Sequence, residues 1–428
     1  MDAEGARRGG GARRVLAVLA VALGVRVAVG VWRGPELLEA GNGLDYMRAL
    51  ATSLARGGGY AIDGVPHVFQ QPGYVACLAA GFALLGATWQ GALLANALLG
   101  TALAGMTYRL AGRLDARAAL PAGIVAAVHP VLVWHGNAVA DTTLFALALV
   151  GWADAALGAL RGGLLRHTLC AGLWIAVAFL TRPSLLPLLP VAPVALLAVS
   201  RSWRKALAFA ALSSALAFVL VLPWLLRNHA LTGVFPLVGT HGPESVWAAN
   251  TDESPEATER DSSYDAVSAL HAGTEFDVQA FQTGVTPREG VRREALFRDA
   301  TRTWIREHFG TFLHMYVVRL GRIADLRYHP SRHGTRPIPH TRLRSLVNAL
   351  SYGPVLLLAI AGTVLLVRGP RRAEALTLVA VVALYALTHA VGAGYTRVRV
   401  PVDPLLVALA GVALARFAAG GAQRPAAS

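Results

Sequence analysis

From Arg109 to Lys205 the chain reads RLAGRLDARAALPAGIVAAVHPVLVWHGNAVADTTLFALALVGWADAALGALRGGLLRHTLCAGLWIAVAFLTRPSLLPLLPVAPVALLAVSRSWRK. Apolar runs at about 118–135, 141–160, 168–181 and 184–199 are punctuated by basic groups. These are Arg109, Arg113 and Arg117, then Arg161 and Arg166, then Arg201, Arg204 and Lys205. A bilayer-spanning helix needs about 20 mostly apolar residues, and Lys and Arg collect in short cytoplasmic loops. The stretch therefore predicts membrane helices whose basic connections lie on the cytoplasmic side.

The same pattern extends outward, with apolar segments at about 13–33, 73–88, 90–108, 206–225, 350–367, 374–391 and 401–417 and a further basic loop at Arg368, Arg371 and Arg372. Hydrophobic residues make up 55% of the chain and charged ones 15%, well below the quarter usual in soluble domains. The expected fold is an all-α polytopic membrane protein of about 10–11 transmembrane helices, with juxtamembrane helices on the outer face. The +14 net charge is dispersed between apolar runs and not gathered on one face, so it reads as topology and excludes a nucleic-acid partner. Cys77 and Cys170 sit in apolar stretches and support neither a disulfide framework nor a zinc site. Arg7, Arg8, Arg13 and Arg14 ahead of Val15–Val25 read as an uncleaved anchor with a cytoplasmic N-terminus. All the basic loops stay inside if 73–88 is re-entrant or interfacial and does not cross.

Three parts follow. Residues 1–226 form an N-terminal transmembrane catalytic module that includes an outer loop at 34–72. Residues 227–349 form an outer-face loop in which Phe297, Ala300, Trp304, Phe312, Tyr316, Leu320 and Ile323 recur at helical spacing, predicting an amphipathic helix over about 291–327. Residues 350–428 supply the C-terminal transmembrane helices.

Polar residues with chemical potential gather at the predicted outer face. Asp45 and Tyr46 follow the first span, ahead of Gly57-Gly58-Gly59-Tyr60 and Gln71-Pro72-Gly73-Tyr74. Alone, Asp45 reads as a solvated carboxylate or a helix cap. Asp141 opens a span, where the helix dipole favours an anion and capping is the plain alternative. Arg182 interrupts an apolar run, and Arg397 and Arg399 stand beside Tyr395 where the charge rule does not want cations. Arginine forks suit phosphate oxygens; the alternative is snorkelling to ordinary head groups.

The order of these landmarks resembles the GT-C superfamily of integral membrane glycosyltransferases, in particular the branch of aminoarabinose lipid A transferases and protein O-mannosyltransferase-like enzymes. The matching features are Asp45, Gln71-Pro72-Gly73-Tyr74, Asn96 to Gly100 with Tyr108, Asp141 before Leu144-Phe145, Thr181-Arg182-Pro183, Pro223-Trp224 with Arg227-Asn228, and Tyr395 through Pro404. The resemblance implies a sugar donor linked to polyprenyl phosphate or pyrophosphate and inversion at the anomeric carbon. It also implies an active site facing the periplasm or exterior of a bacterial inner membrane. It makes Asp45 the catalytic carboxylate and general base, and Asp141 the second acidic position. Arg397, Arg399 and Arg182 would hold the donor phosphate, with Tyr46, Tyr60, Gln71 and Tyr395 at the substrates. Membrane lipids are partners, and the acceptor is a glycan, a lipid or a protein. Metal use varies across the superfamily, so the resemblance fixes no cofactor and leaves a divalent cation between Asp45 and Asp141 open. The chain departs from many relatives in having little outer domain after its last span. A transporter or lipid flippase is the alternative from another class, against which stand the lack of paired repeats and the one-faced polar residues.

Overall fold

The computed structural model describes residues 3–39, 45–235, 242–255, 267, 270–277, 285–329 and 341–421. Helix α1 (Ala3–Arg33) leads to the short α2 (Glu36–Glu39) and to α3 (Asp45–Ala55). A two-stranded hairpin, β1 (Ala61–Ile62) with β2 (Val65–Pro66), then precedes α4 (Pro72–Leu85). The bundle resumes with α5 (Trp89–Leu114), α6 (Ala119–Val128), α7 (Pro130–Gly136), α8 (Thr142–Leu160), α9 (Leu164–Phe179), α10 (Val191–Ser200) and α11 (Trp203–Thr232). After α12 (Pro243–Ala248), α13 (Pro287–Glu307) and α14 (Phe309–Ala324) come α15 (Thr341–Val367), α16 (Arg372–His389), the short α17 (Thr396–Arg399) and α18 (Asp403–Gly421). Among the described residues seven helices are long and apolar enough to cross a membrane, or eight if α6 and α7 count as one bent span. The chain is an all-α polytopic membrane protein.

Small residues set the packing, because without a hydrophobic drive between helices close backbone approach supplies the contact. Gly105 meets Leu19, Gly100 meets Arg26, and Leu93 meets Gly30, so α1 and α5 run antiparallel along their lengths. These pairs also place α4. The chain leaves α1 at Gly30–Arg33 and enters α5 beside it at Leu93, so α4 does not carry it across. Its 14 residues are short of a span, and Gly81 packs on the backbone of Gly91 to close an α4–α5 hairpin.

The bundle has two unlike ends. At one, Arg113 and Arg109 bind the buried Asp154 at 2.7 and 2.9 Å, Arg161 binds Glu374 at 2.9 Å, and Arg416 binds Asp115 at 3.3 Å. This basic end gathers the connections α5–α6, α8–α9 and α15–α16. The opposite end carries the first loop, α12 to α14 and α17. Helix α8 joins the two ends at the centre, with 94% of its apolar window buried.

Two elements depart from the sequence reading. The run at 118–135 bends by 55° at His129–Pro130. Pro130 offers no N–H to the carbonyl of Ala126, and the guanidinium of the fully buried Arg26 donates instead to the carbonyls of Ala127 and Ala126, at 3.1 and 3.4 Å. The single amphipathic helix expected over 291–327 is two helices, α13 and α14, broken at His308, whose backbone leaves the helical region. The apolar periodicity runs through that break, so spacing alone does not reveal it.

Candidate active site

The link from α7 to α8 delivers the central carboxylate. Asn96 donates to the carbonyl of Ala138 at 3.1 Å and accepts from the Tyr74 hydroxyl at 3.0 Å, while the amide of Asn137 donates to the carbonyl of Arg26 at 3.3 Å. Held this way, the link ends in Asp141 at the start of α8. Its side chain makes no capping bond to the helix; both its oxygens receive Arg182, one of them from Nε at 2.8 Å. Arg182 stands before Pro183 with an extended backbone, φ −151° and ψ 136°, as a residue preceding proline prefers. Proline thus ends α9 and turns the guanidinium toward Asp141. Arg397 approaches the same carboxylate at 3.8 Å, and both arginines donate to the Thr142 hydroxyl, at 3.1 and 3.3 Å. The Asp141 side chain is 3% exposed, against 19% and 18% for the two arginines. At low local dielectric such a carboxylate persists as an anion through these partners.

The first loop forms a wall beside this cluster. Tyr46, buried on α3, donates to Oε1 of Gln70 at 3.2 Å, and burial together with Asp141 raises its hydroxyl pKa well above the ordinary tyrosine value. Tyr60 donates to the carbonyls of Gln70 and Gln71 at 2.9 and 3.1 Å. Arg227 of α11 fastens the loop from outside, donating to the carbonyls of Tyr60 and His67 at 3.0 Å each and stacking on Trp224 at 4.7 Å. Inside the wall, the Gln71 amide, Nε2 of Gln70 and Nε2 of His67 are buried without a hydrogen-bond partner. Burial, and then Arg227, lower the His67 pKa to about 3, so its ring is neutral. Buried amides and a neutral imidazole lacking partners fit uncharged hydroxyl groups of a ligand, since orphaned polar atoms are costly.

The structure therefore brings Asp141, Arg182, Arg397 and Tyr46 together, with Tyr60 and Gln71 in the adjoining wall. Asp45 is the first residue of α3, next to Tyr46; its side chain lies outside the described residues. Tyr395 is half-buried and its carbonyl accepts from the Val398 N–H at 2.9 Å, capping α17. Arg399 does not join the group. It is 2% exposed, pairs with Asp403 at 2.9 Å, donates to Asn348 at 2.9 Å and lies over the Tyr352 ring at 3.3 Å. That guanidinium is spent on holding α17, α15 and α18 together.

Gln70, His67 and the fully buried Glu244, which accepts from the Gly242 N–H at 2.7 Å, were not singled out as chemistry from sequence. Gln70 adjoins the noted Gln71, while Glu244 follows Pro243 in a polar stretch at the start of a short helix and carries no sequence signal of its own. Among the described residues no group of three or more His, Cys, Asp and Glu is placed to hold a metal ion. With both Asp141 oxygens already facing a guanidinium and a second one within 4 Å, the surroundings of Asp141 do not fit a divalent cation.

Residues 70–226 match the family model described as dolichyl-phosphate-mannose-protein mannosyltransferase. Among solved structures, the archaeal oligosaccharyltransferase AglB from Archaeoglobus fulgidus, in complex with an inhibitory peptide and a dolichol-phosphate, is similar over 97% of this chain and 52% of its own, with TM-score 0.55 and 13% identity. Its apo form gives TM-score 0.55 and 14% identity, over 97% and 53%. ArnT from Cupriavidus metallidurans bound to undecaprenyl phosphate aligns over 93% of this chain and 78% of its own, at TM-score 0.43 and 17% identity. The chain thus spans about half the length of the oligosaccharyltransferase. No curated protein matches it. The likeness holds at the level of fold: the helix bundle shares the architecture of that oligosaccharyltransferase.

Proposed function

We propose that the chain is a membrane glycosyltransferase that moves a sugar from a polyprenyl-phosphate or pyrophosphate donor to a hydroxyl- or amine-bearing acceptor on the periplasmic or exterior side, with inversion. The observation that carries this reading is the Asp141–Arg182–Arg397 cluster, set at the loop-covered end of the bundle beside Tyr46, the residue that follows Asp45 in the chain. The family model is named for a dolichyl-phosphate-linked sugar, and the oligosaccharyltransferase was solved with dolichol-phosphate; both support a lipid-linked donor here.

Asp45 takes the proton as the acceptor attacks the anomeric carbon, a contribution of about 10²–10⁴ in rate. The new bond forms to that carbon as its bond to the phosphate oxygen breaks. The electron pair leaves with the lipid phosphate, and the cations at this end offset the growing charge. Asp141 orients Arg182 and Arg397 toward that charge, and the Gln71 wall meets the hydroxyls of a neutral sugar or acceptor.

The test is incubation of the purified protein with radiolabelled polyprenyl-phosphate sugars. Label should move from lipid to acceptor or water. Intact donor throughout, together with movement of labelled lipid between leaflets in proteoliposomes, would make the chain a flippase instead.

A further inference from the structure

Among the described residues, four arginines gather on the nine residues 134–142, which contain one acid, Asp141. Arg182 and Arg397 meet Asp141 and Thr142, as described above. Arg33, at the end of α1, donates to the carbonyl of Asn137 at 3.2 Å and lies 4.5 Å from the Trp134 ring. Arg344, in the first turn of α15, lies 5.2 Å from the same ring and 5.8 Å from that of Tyr328. Helices far apart in sequence thus point guanidinium groups at one short link.

Asp141 offsets only part of this gathering: both its oxygens receive Arg182, Arg397 stands 3.8 Å from one of them, and neither Arg33 nor Arg344 is paired with it among the described contacts. Glu36 acts on Arg33 only from an exposed position. Burial aside, His135 feels the charges of Arg397, Arg399, Arg33 and Arg344, of which Arg399 is already paired with Asp403; Tyr328 feels Arg344 and Arg397. His135 is 9% exposed and Arg33 is 6% exposed, yet Nε2 of the one and Nε of the other have no hydrogen-bond partner. Three partly desolvated cations repel one another, and unpartnered buried donors add a further cost. An anion with several acceptor oxygens relieves both.

We infer that Arg33, Arg344 and Arg397, around Trp134 and Tyr328, form a cradle for the phosphate of a lipid carrier, while Arg182 serves Asp141. This rests on the lipid-linked donor proposed above. The lipid source is favoured by α15 itself: Leu343, Leu346 and Leu350, on the faces flanking Arg344, are more than half exposed. An isoprenoid tail can follow this apolar stripe into the bilayer while its phosphate stays at the cradle. Breaking the bond from the anomeric carbon to the phosphate oxygen turns a diester of charge about −1 into a monoester of up to about −2. A cradle of three arginines therefore binds the departing carrier more strongly than the intact donor, which is the differential that accelerates transfer.

The experiment measures binding of radiolabelled undecaprenyl phosphate to the purified full chain in phosphatidylcholine nanodiscs, with inorganic phosphate as competitor. Each of Arg344→Gln and Arg33→Gln should weaken binding about tenfold or more, as expected for loss of a charge-assisted hydrogen bond. Arg344→Lys should recover part of it, and Arg292→Gln, at an exposed arginine of α13 paired with Glu289, should stay within about threefold of wild type. Arg344 is half-buried, so its variants remain informative if Arg33→Gln fails to fold. Tight binding that neither Arg344→Gln nor Arg33→Gln weakens overturns the cradle and leaves the glycosyltransferase reading standing. Binding of inorganic phosphate but not of the lipid, dependent on the same arginines, overturns the lipid carrier and with it the donor reading. No binding of either ligand overturns both.

Discussion

Asp141 is almost fully buried and held by two arginines, so its charge and theirs stand or fall together. Replacing it with Asn leaves Arg182 without a counter-charge, and removing one partner of a buried ion pair costs ~3–5 kcal/mol. The exposure of Arg182 puts Asp141→Asn toward the lower end, a drop of about 3 kcal/mol. The double variant Asp141→Asn/Arg182→Gln should regain most of the thermal stability in detergent yet stay inactive in label transfer. Recovery of both would reduce the pair to a structural strut. Asp45 differs, since it opens an interfacial helix outside the bundle core. Asp45→Asn cannot accept a proton at neutral pH, so transfer should fall at least about a hundredfold with unchanged insertion and melting temperature. Retention of more than about a tenth of wild-type turnover would leave Asp45 a helix cap. Charges within apolar runs were legible, which is why Asp141, Arg182 and Arg397 stood out in the sequence. Arg399 was equally visible, but two residues along a helix turn a side chain by about 200°, so it faces away from Arg397 into α15 and α18. Arg33 and Arg344 were hidden because each closes or opens a span, where a cation is ordinary.

At the scale of elements, the spans were readable because length and hydropathy suffice to specify them. Where they touch was not, since close approach depends on which glycines meet across the bundle. Gly362 of α15 packs directly on the carbonyl of Leu409 in α18, so a Cβ there would collide with backbone that cannot swing aside. Gly362→Ala should cost about 1–3 kcal/mol and lower the melting temperature in detergent. Gly353, nine residues earlier on the same helix, is the internal control. A Cβ at that position would meet only the Leu326 side chain, at 3.6 Å, and Gly353→Ala should be neutral within about 0.5 kcal/mol. Equal melting temperatures for the two variants would mean that the α15–α18 crossing is not fixed by this contact. The bend at His129–Pro130 belongs to the same lesson. Proline announces a lost hydrogen bond, but only the fold shows that Arg26 replaces it and so sets the direction in which α7 carries Trp134 and His135.

For the whole molecule, the two ends divide the labour between closing the bundle and binding an anion. At the basic end each buried acid, Asp154 or Glu374, is matched by arginines from neighbouring connections, which locks the loops. At the other end, among the described residues, arginines outnumber acids around 134–142, as a site for an anion requires. On the proposed orientation, which follows the positive-inside rule, the locked end faces the cytoplasm and the anion site the outside, and the odd position of α4 is what reconciles the two. If α4 crossed, α5 would start at the opposite end from Gly30, which its contact with Leu93 forbids. Exposed cysteines test this in intact cells, in a background with Cys77 and Cys170 replaced by alanine. Arg56→Cys, after α3, should react with a membrane-impermeant maleimide. Arg117→Cys and Arg204→Cys, exposed at the basic end, should react only after the membrane is opened. The reverse pattern would turn the site toward the cytoplasm and remove the argument for a periplasmic acceptor. Reaction at both Arg56→Cys and Arg117→Cys would mean that α4 and α5 both cross or that neither does, and the ordering of every later span would have to be redrawn from that point.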